Sequence, residues 1–508
     1  MAQTALFSLH NTDQADVFAR ALVAGGWSII ASRETCILLS QKGIPVTDVG
    51  AFCGVSEEYG FPPTLHPKIE YALTSSSAGG PRIELVYVIP YPLSEGNDVG
   101  GRALLALAAK GGRVPVMCPD DMRLVAQEME KGHDISPGLR SRLINKTYAL
   151  IAGHYDDLLR ERRAFDTIFA RLSRELSGGE NPYQSPAQLF SVKGDDALAI
   201  PGFRQLSGEA PCYTNLADLD SVLQTLSLSA EAFRLRGGKE PYLCVAAKHG
   251  NACGMGMSRA DPAEAVEKAL FGNPRAVWGG EVMVNFAVDE RIARMLYKHD
   301  KRKELCGSDA WMLDVVCAPQ VTPEAVDLLG GRQIRRIFEN RHLVRPSVSK
   351  AAYSYRFVRG GLLRQPPHSY IFDPGKAECT GSVPDEPVIE SLIMAWAVAW
   401  SSYHGGNEVA VVKDAKLLGA GGGPSTVDAA SLALARAGSS GESLNGAVFA
   451  ADAFFPFRDA PEKLCGQGLC AGVVPGGGKA FAAVRDFFQE KGVSMFYLPE
   501  EYRGFCRH

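Results

Sequence analysis

Strand-like and helix-like stretches alternate from the first residues of the chain, and this alternation constrains the fold more than any other feature. Ala5-Leu6-Phe7-Ser8-Leu9 reads as a short strand, Ala15 to Leu22 as a helix with apolar residues at helical spacing, and Trp27-Ser28-Ile29-Ile30-Ala31 as a second strand. Cys36 to Lys42 is again helical, and Pro45 to Val49 again extended. Repeated β-α-β units predict a parallel sheet with helices on both faces, because a parallel neighbour is reached only by crossing over a face. An arginine-rich stretch from about Leu139 to Leu176 reads as a helical connector ending at Ser177-Gly178-Gly179, after which strands and helices mix again. The fold class is α/β, and 508 residues suffice for two or three domains. The expected division is 1–140, a helical connector 141–177, and 178–508. Ala420 to Pro424 and Pro475 to Gly478 read as glycine-rich turns, and no internal repeat, heptad or low-complexity tail stands out.

Composition excludes several classes. Apolar residues at 46% and charged residues at 22% are ordinary globular values, and a net charge of −4 gives no general affinity for polyanions, so nucleic acid is not an expected partner. No run of roughly 18 apolar residues marks a membrane span. Met1 to Leu6 lacks the basic start of a secretion signal. Twelve cysteines are dilute and irregularly spaced, and Cys465 and Cys470 fit neither zinc-ligand nor thioredoxin spacing. Reduced thiols in a cytoplasmic protein are the expectation.

The chemistry concentrates where the buried run Leu243-Cys244-Val245-Ala246-Ala247 ends in Lys248-His249-Gly250-Asn251-Ala252-Cys253-Gly254. A lysine beside a histidine at the mouth of a strand sets a cation and a proton acceptor together over a cleft. Acyl transfer to an amine needs such a pair: the histidine takes the proton of the attacking nitrogen and the ammonium steadies oxyanion charge. An isolated Lys-His pair is ordinarily a surface turn, so the weight rests on the rest of the chain.

Several other blocks bear on it. Glu180-Asn181-Pro182-Tyr183-Gln184, Thr214-Asn215-Leu216-Ala217-Asp218, Val277-Trp278-Gly279-Gly280, Asp314-Val315-Val316-Cys317-Ala318-Pro319, Gly419-Ala420-Gly421-Gly422-Gly423, Asp452-Ala453-Phe454-Phe455-Pro456-Phe457-Arg458-Asp459 and Phe505-Cys506-Arg507-His508 follow one another in the chain. Together with the Lys248-His249 block they resemble, in order, the motifs of the bifunctional AICAR transformylase/IMP cyclohydrolase family of purine biosynthesis. The resemblance implies a methylglyoxal-synthase-like N-terminal domain and a C-terminal transformylase region of two cytidine-deaminase-like subdomains. It also implies a homodimer with sites at the subunit interface, a small amine acceptor, and 10-formyltetrahydrofolate as co-substrate. No metal is expected, since H-x-E with P-C-x-x-C is absent.

By the same resemblance His249 is the general base, Lys248 its electrostatic partner, and Asn407 the amide that positions the formyl group. Asp314, Phe454, Pro456, Phe457 and Asp459 would bind the pterin, which wants an apolar wall and a carboxylate for its N–H edge. Asn215, Gly280, Arg503, Phe505 and His508 would contact the acceptor. Each has a plainer reading: Phe454 and Phe457 as core aromatics, Asp459 as a helix cap, Asn407 as a turn residue, Arg503 and His508 as a frayed end.

The departures are as informative. The family's phosphate-binding S-V-S-D-K and S-G-G-T become Ser8-Leu9-His10-Asn11-Thr12 and Ser32-Arg33-Glu34-Thr35, and R-V-K-T-L-H-P becomes Phe61-Pro62-Pro63-Thr64-Leu65-His66-Pro67. Lysines are lost and Glu34 stands where a dianion would lie, so the cyclohydrolase half is expected to be a remnant. Asp98 and Lys110 still match family positions, which a fold-preserving turn would explain. In the other half two expected phosphate clamps have become Ser177 and Val427. A bidentate Arg–phosphate contact is hard to replace with such residues. Either Lys413, Arg458 or Arg503 substitutes, or the acceptor has no phosphate. The reading is a folate-dependent formyltransferase with an altered acceptor. The alternatives are the ordinary bifunctional enzyme and a non-catalytic folate- or nucleotide-binding paralogue.

Overall fold

The computed structural model describes residues 3–55, 63–75, 81–131, 134–161, 166–331, 334–502 and 504. The chain divides into two compact units, Met1–Phe169 and Ala170–His508.

In the first unit, β1 (Thr4–Leu9), β2 (Ser28–Ala31), β3 (Thr47–Asp48), β4 (Leu85–Ile89) and β5 (Val114–Val116) form one sheet in the order β3-β2-β1-β4-β5, parallel throughout. The helices are α1 (Ala15–Ala24), α2 (Arg33–Gln41), α3 (Val49–Cys53), α4 (Pro67–Thr74), α5 (Val99–Lys110), α6 (Pro119–Glu130) and α7 (Pro137–Glu161). Two apolar clusters lie on its two faces, one around Phe7, Phe18 and Tyr87, the other around Leu6, Val86 and Leu104. The expected strand at Pro45 to Val49 shrinks to Thr47–Asp48 because Asp48 caps α3, its carboxylate accepting from Gly50 N–H.

The strand order reverses between β1 and β4, the place where open α/β sheets bind ligands. His10 and Glu95 face each other there at 3.5 Å, with Tyr91 beside His10. Asp98 caps α5 through Gly101 N–H at 2.7 Å, and exposed Lys110 lies 3.9 Å from Glu70. Both matched positions are thus explained by the fold. Phe61 and Pro62 lie outside the described residues.

The second unit corrects two expectations. The helical connector does not run to Leu176: α7 ends at Glu161, and Ala170–Glu175 is a strand, β6, paired antiparallel with β7 (Gln188–Val192). Alternation in Ala170–Glu175 is weak because the strand belongs to an exposed two-stranded hairpin, so no buried face marks it. The absence of repeats in the sequence is also misleading. One run is β8 (Arg204–Ser207), α8 (Tyr213–Arg236), β9 (Tyr242–Lys248), β10 (Asn251–Ser258), α9 (Pro262–Leu270), β11 (Glu281–Val284), α10 (Glu290–Tyr297), α11 (Asp300–Cys306), β12 (Val315–Ala318), α12 (Pro323–Gly330) and β13 (Arg336–Glu339). After a hairpin, β14 (Ser354–Val358) and β15 (Gly361–Gln365), nearly the same order returns. It runs β16 (Glu378–Thr380), α13 (Glu386–Ser401), β17 (Asn407–Lys413), β18 (Lys416–Gly423), α14 (Thr426–Gly438), β19 (Val448–Ala451), α15 (Asp459–Gly466), β20 (Ala471–Pro475), α16 (Phe481–Glu490) and β21 (Ser494–Leu498).

Both halves pair alike, β10-β9-β11-β12-β13-β8 and β18-β17-β19-β20-β21-β16, and β10 joins β18 to make one 12-stranded sheet. The equivalence reaches single contacts. Asn285 accepts from Leu243 N–H at 2.7 Å as Asp452 accepts from Glu408 N–H at 2.7 Å. Helices α8 and α13 cover one face around Phe233, Trp396 and Trp400, with Thr225 and Ser401 hydroxyls 2.6 Å apart. Outer clusters with α9, α10 and α12 and with α14 to α16 cover the other.

The glycine run at 419–423 is therefore strand, not turn. A Cβ on Gly421 would meet Ala433 N at 2.6 Å, and one on Gly256 would meet Ala265 O at 2.1 Å. In each half the glycines let a helix lie directly on the second hairpin strand.

Candidate active site

Strand direction gathers the candidate residues. β9 ends at Lys248, β11 begins at Glu281 opposite Ala247, and Asp314 immediately precedes β12, parallel to β11. β18 runs antiparallel to β10, and so ends, at Gly423, on the same edge as Asn251; there β17 begins with Asn407 and β19 ends beside Asp452. One end of the 12-stranded sheet thus carries Lys248, His249, Asp314, Asn407 and the Asp452–Asp459 segment.

His249 and Gly250 form the two-residue turn between β9 and β10 with φ of 53° and 72°. Positive φ at both positions matches the twist of a tight hairpin but is costly for a residue with a side chain. The carboxylate of Asp218, on α8, holds the turn by accepting from His249 N–H at 3.1 Å. His249 is exposed. Lys248 donates to the Trp278 carbonyl at 2.8 Å, and its ammonium lies 5.9 Å from the Trp278 ring centre. The tight Gly279-Gly280 turn allows this approach: Gly279 has φ 78°, and a Cβ there would stand 3.5 Å from Lys248 Nζ.

Around this turn lies a set of acids, of which the sequence analysis singled out Asp314 but not Glu281 or Asp218. Glu281 is only 3% exposed, and burial first, then Asp218 and Asp314, push its carboxyl up to about 9. Asp218 is raised by burial, against the charge and backbone N–H of His249. Asp314 is raised by burial, opposed by Arg336 and Lys248. Asn215 is buried; its side chain caps α8 through Cys212 N–H at 3.1 Å and also bonds Glu281. Gly280 abuts the Ala247 carbonyl, with only 2.3 Å to a Cβ there. Asn215 and Gly280 thus build the floor of the turn. Glu281 could have been noticed as a carboxylate opening an apolar strand after two glycines; Asp218 stood inside a quoted block.

The second cluster is a cleft of about 700 Å³ lined by Asn407, Pro424 to Val427, Ala453, Phe454, Pro456, Phe457 and Asp459. Asn407 donates to Gly423 O at 3.2 Å. Phe454 is half-buried, Phe457 is 68% exposed, and Asp459 opens α15 and accepts from Ala460 N–H at 2.8 Å. Asp314 is not in this lining; it sits with Lys248 and Glu281. Beneath Asn407, His404 Nδ1 lies 2.6 Å from Glu408, both nearly buried, and Asp452 is held well above the usual carboxylate range by burial.

Among the described residues lining the cleft there is no lysine or arginine. Lys413 lies at the opposite end of β17 and donates to Ser443 O, so it is no substitute clamp. Arg458 lies over the Phe487 ring at 5.7 Å. Arg503, Phe505 and His508 are outside the described residues. No group of three His, Cys, Asp or Glu side chains among the described residues is placed to hold a metal ion.

Residues 108–436 match the AICARFT/IMPCHase bienzyme family, well over half of the chain. The chain belongs to this family. As a family member it is a formyltransferase- or cyclohydrolase-type enzyme, and the family is folate-dependent in general. The chain is also similar to ForH, whose crystal structure matches at 26% identity over 32% of this chain and 98% of ForH, with a TM-score of 0.29. Every described cysteine is free, and among the described residues no helix is long and apolar enough to cross a membrane.

Proposed function

We propose that this member of the AICARFT/IMPCHase bienzyme family moves a formyl group from 10-formyltetrahydrofolate to an amine of an AICAR-like acceptor that lacks the phosphate, and has lost cyclohydrolase activity. The observation that carries the reading is the convergence of the Lys248-His249 turn and the Asn407–Asp459 cleft on one end of a single sheet. The cleft fits a flat heteroaromatic ring: Phe454, Pro456 and Phe457 offer apolar walls, and Asp459 a carboxylate for ring N–H groups. Bound folate supplies the formyl group. His249 takes a proton from the attacking amine as its nitrogen bonds to the formyl carbon, while Lys248 sets positive charge against the oxygen on which negative charge grows. The bond from that carbon to the folate nitrogen then breaks, this nitrogen takes up a proton, and tetrahydrofolate leaves. Asn407 orients the formyl oxygen, and the pairing of acceptor and donor in one cleft lowers the entropic barrier.

The acceptor assignment is supported by the two positions where phosphate-clamping arginines were expected: Ser177 and, in the cleft lining, Val427 carry no charge to hold a dianion. Loss of cyclohydrolase rests on the first unit, where Glu95 and Glu34 stand at the strand ends that should receive a phosphate. We further propose a cytoplasmic homodimer, supported by exposed apolar residues on both hairpins, Phe190 and Val192 on one and Phe357 and Leu363 on the other.

The test is tetrahydrofolate release from 10-formyltetrahydrofolate with AICAR, its riboside and its free base in parallel. Turnover with the riboside or base and little with AICAR is expected. Turnover with AICAR alone would restore the ordinary family reaction.

A further inference from the structure

The formyl-transfer reading uses His249 but leaves unexplained how a strained turn stays in place. Two side chains hold it: Asn251 donates to His249 O at 3.0 Å, and the carboxylate of Asp218 accepts from His249 N–H and is also bonded by Gly250 N–H. The third group on Asp218 is the side chain of Glu281. Glu281 is buried between β9 and β12, with Asn215 as a further partner, while its Oε2 has no hydrogen-bond partner in the structure. The groups facing it are Asp218 and Asn215 from α8, Asp314 ahead of β12, and Cys253 from β10; Lys248 and His249 stand at the turn, and Arg336 beyond Asp314. Two ionised carboxylates in contact, one with an unpartnered oxygen shut away from water, would be strongly unfavourable. The pair therefore carries one proton. Asp218 already accepts two backbone N–H bonds, which favour its charged form, so the proton belongs to Glu281.

Resting on the formyl-transfer reading, we infer that Glu281 is a positioning residue: as a neutral carboxylic acid it donates to Asp218 and so fixes the carboxylate that holds the His249 turn. The burial that lifts Glu281 to about 9 keeps it protonated across the neutral range. Above that, deprotonation sets a second charge against Asp218 and loosens the turn.

The test pairs two readouts on the intact protein. Carboxyl-carbon NMR with labelled glutamate needs no acceptor; it should show one glutamate titrating near pH 9 that vanishes in Glu281→Gln. The pH profile of kcat/KM should show an alkaline fall in the wild type. Glu281→Gln, which still donates an N–H to Asp218, should keep activity within about threefold near neutrality and lose that fall. Glu281→Leu, checked for folding by circular dichroism, should lose more than about tenfold. A titration in the ordinary glutamate range, or a Glu281→Gln profile superimposed on the wild type, would overturn the inference. If no acceptor turns over, the formyl-transfer reading fails while the NMR titration still decides the state of Glu281.

Discussion

Asn251 Oδ1 accepts from the backbone N–H of Tyr403 at 2.5 Å, joining the turn that carries His249 to the loop that leads into Asn407. The amide nitrogen of the same Asn251 donates to His249 O at 3.0 Å. One side chain therefore ties the two halves of the unit together at the end of the sheet where both candidate clusters lie. Asn251→Ala should leave the Tyr403 N–H unpaired, cost about 1–2 kcal/mol, and lower kcat/KM by about tenfold. Thermal unfolding and steady-state kinetics on the same variant check both.

His249 holds a backbone conformation that suits glycine, with φ of 53°. Its counterparts at the tip of the second hairpin, Asp414 and Ala415, have φ of 49° and 58° and the same unfavourable geometry. His249→Gly should raise stability by about 0.5–1 kcal/mol while abolishing transfer; His249→Ala should abolish transfer with no such gain. Equal thermal midpoints for the two variants would contradict the strain.

Asp452 occupies the place that Asn285 holds in the first half, with the same two backbone contacts. Its carboxyl is held well above the usual range by burial, with Glu408 adding repulsion. A raised carboxyl keeps its proton in the folded chain where the unfolded chain has released it, so this contribution is full below the ordinary carboxylate range and declines as pH rises above it. Asp452→Asn keeps the acceptor for Glu408 N–H and removes that slope. The variant should be more stable than the wild type at alkaline pH, with the gap closing on acidification, as denaturant titrations across pH would show.

Gly256 lies under α9, and a methyl group there would stand 2.1 Å from the Ala265 carbonyl. Gly256→Ala should destabilise by about 3 kcal/mol or more, because backbone rather than a flexible side chain must move. Gly138, with open space around its Cβ position, is the control and should tolerate alanine.

Much of the fold was legible because β-α-β alternation and buried apolar runs are local signals. Lys248-His249 and the Asp452–Asp459 block were legible because their chemistry sits in short contiguous stretches. What escaped depends on distant pairing. Glu281 meets Asp218 across more than sixty positions, and only the β9–β11 register brings them together. Lys413 looked like a spare cation near the site, but the length of β17 carries it to the far edge of the sheet. The repeat escaped because its halves share strand order and backbone contacts while using different side chains, Asn285 in one and Asp452 in the other. The glycines at 419–423 read as a turn because a strand without side chains has no periodicity to show.

The central claim is formyl transfer to a phosphate-free acceptor through His249. Its most direct test is mass spectrometry of the acceptor after incubation with 10-formyltetrahydrofolate labelled with carbon-13 in the formyl group, using AICAR riboside and comparing wild type with His249→Ala. The account predicts a riboside carrying the labelled formyl group in the wild type and none in the variant. Label found only on AICAR, or found equally with both proteins, would contradict it.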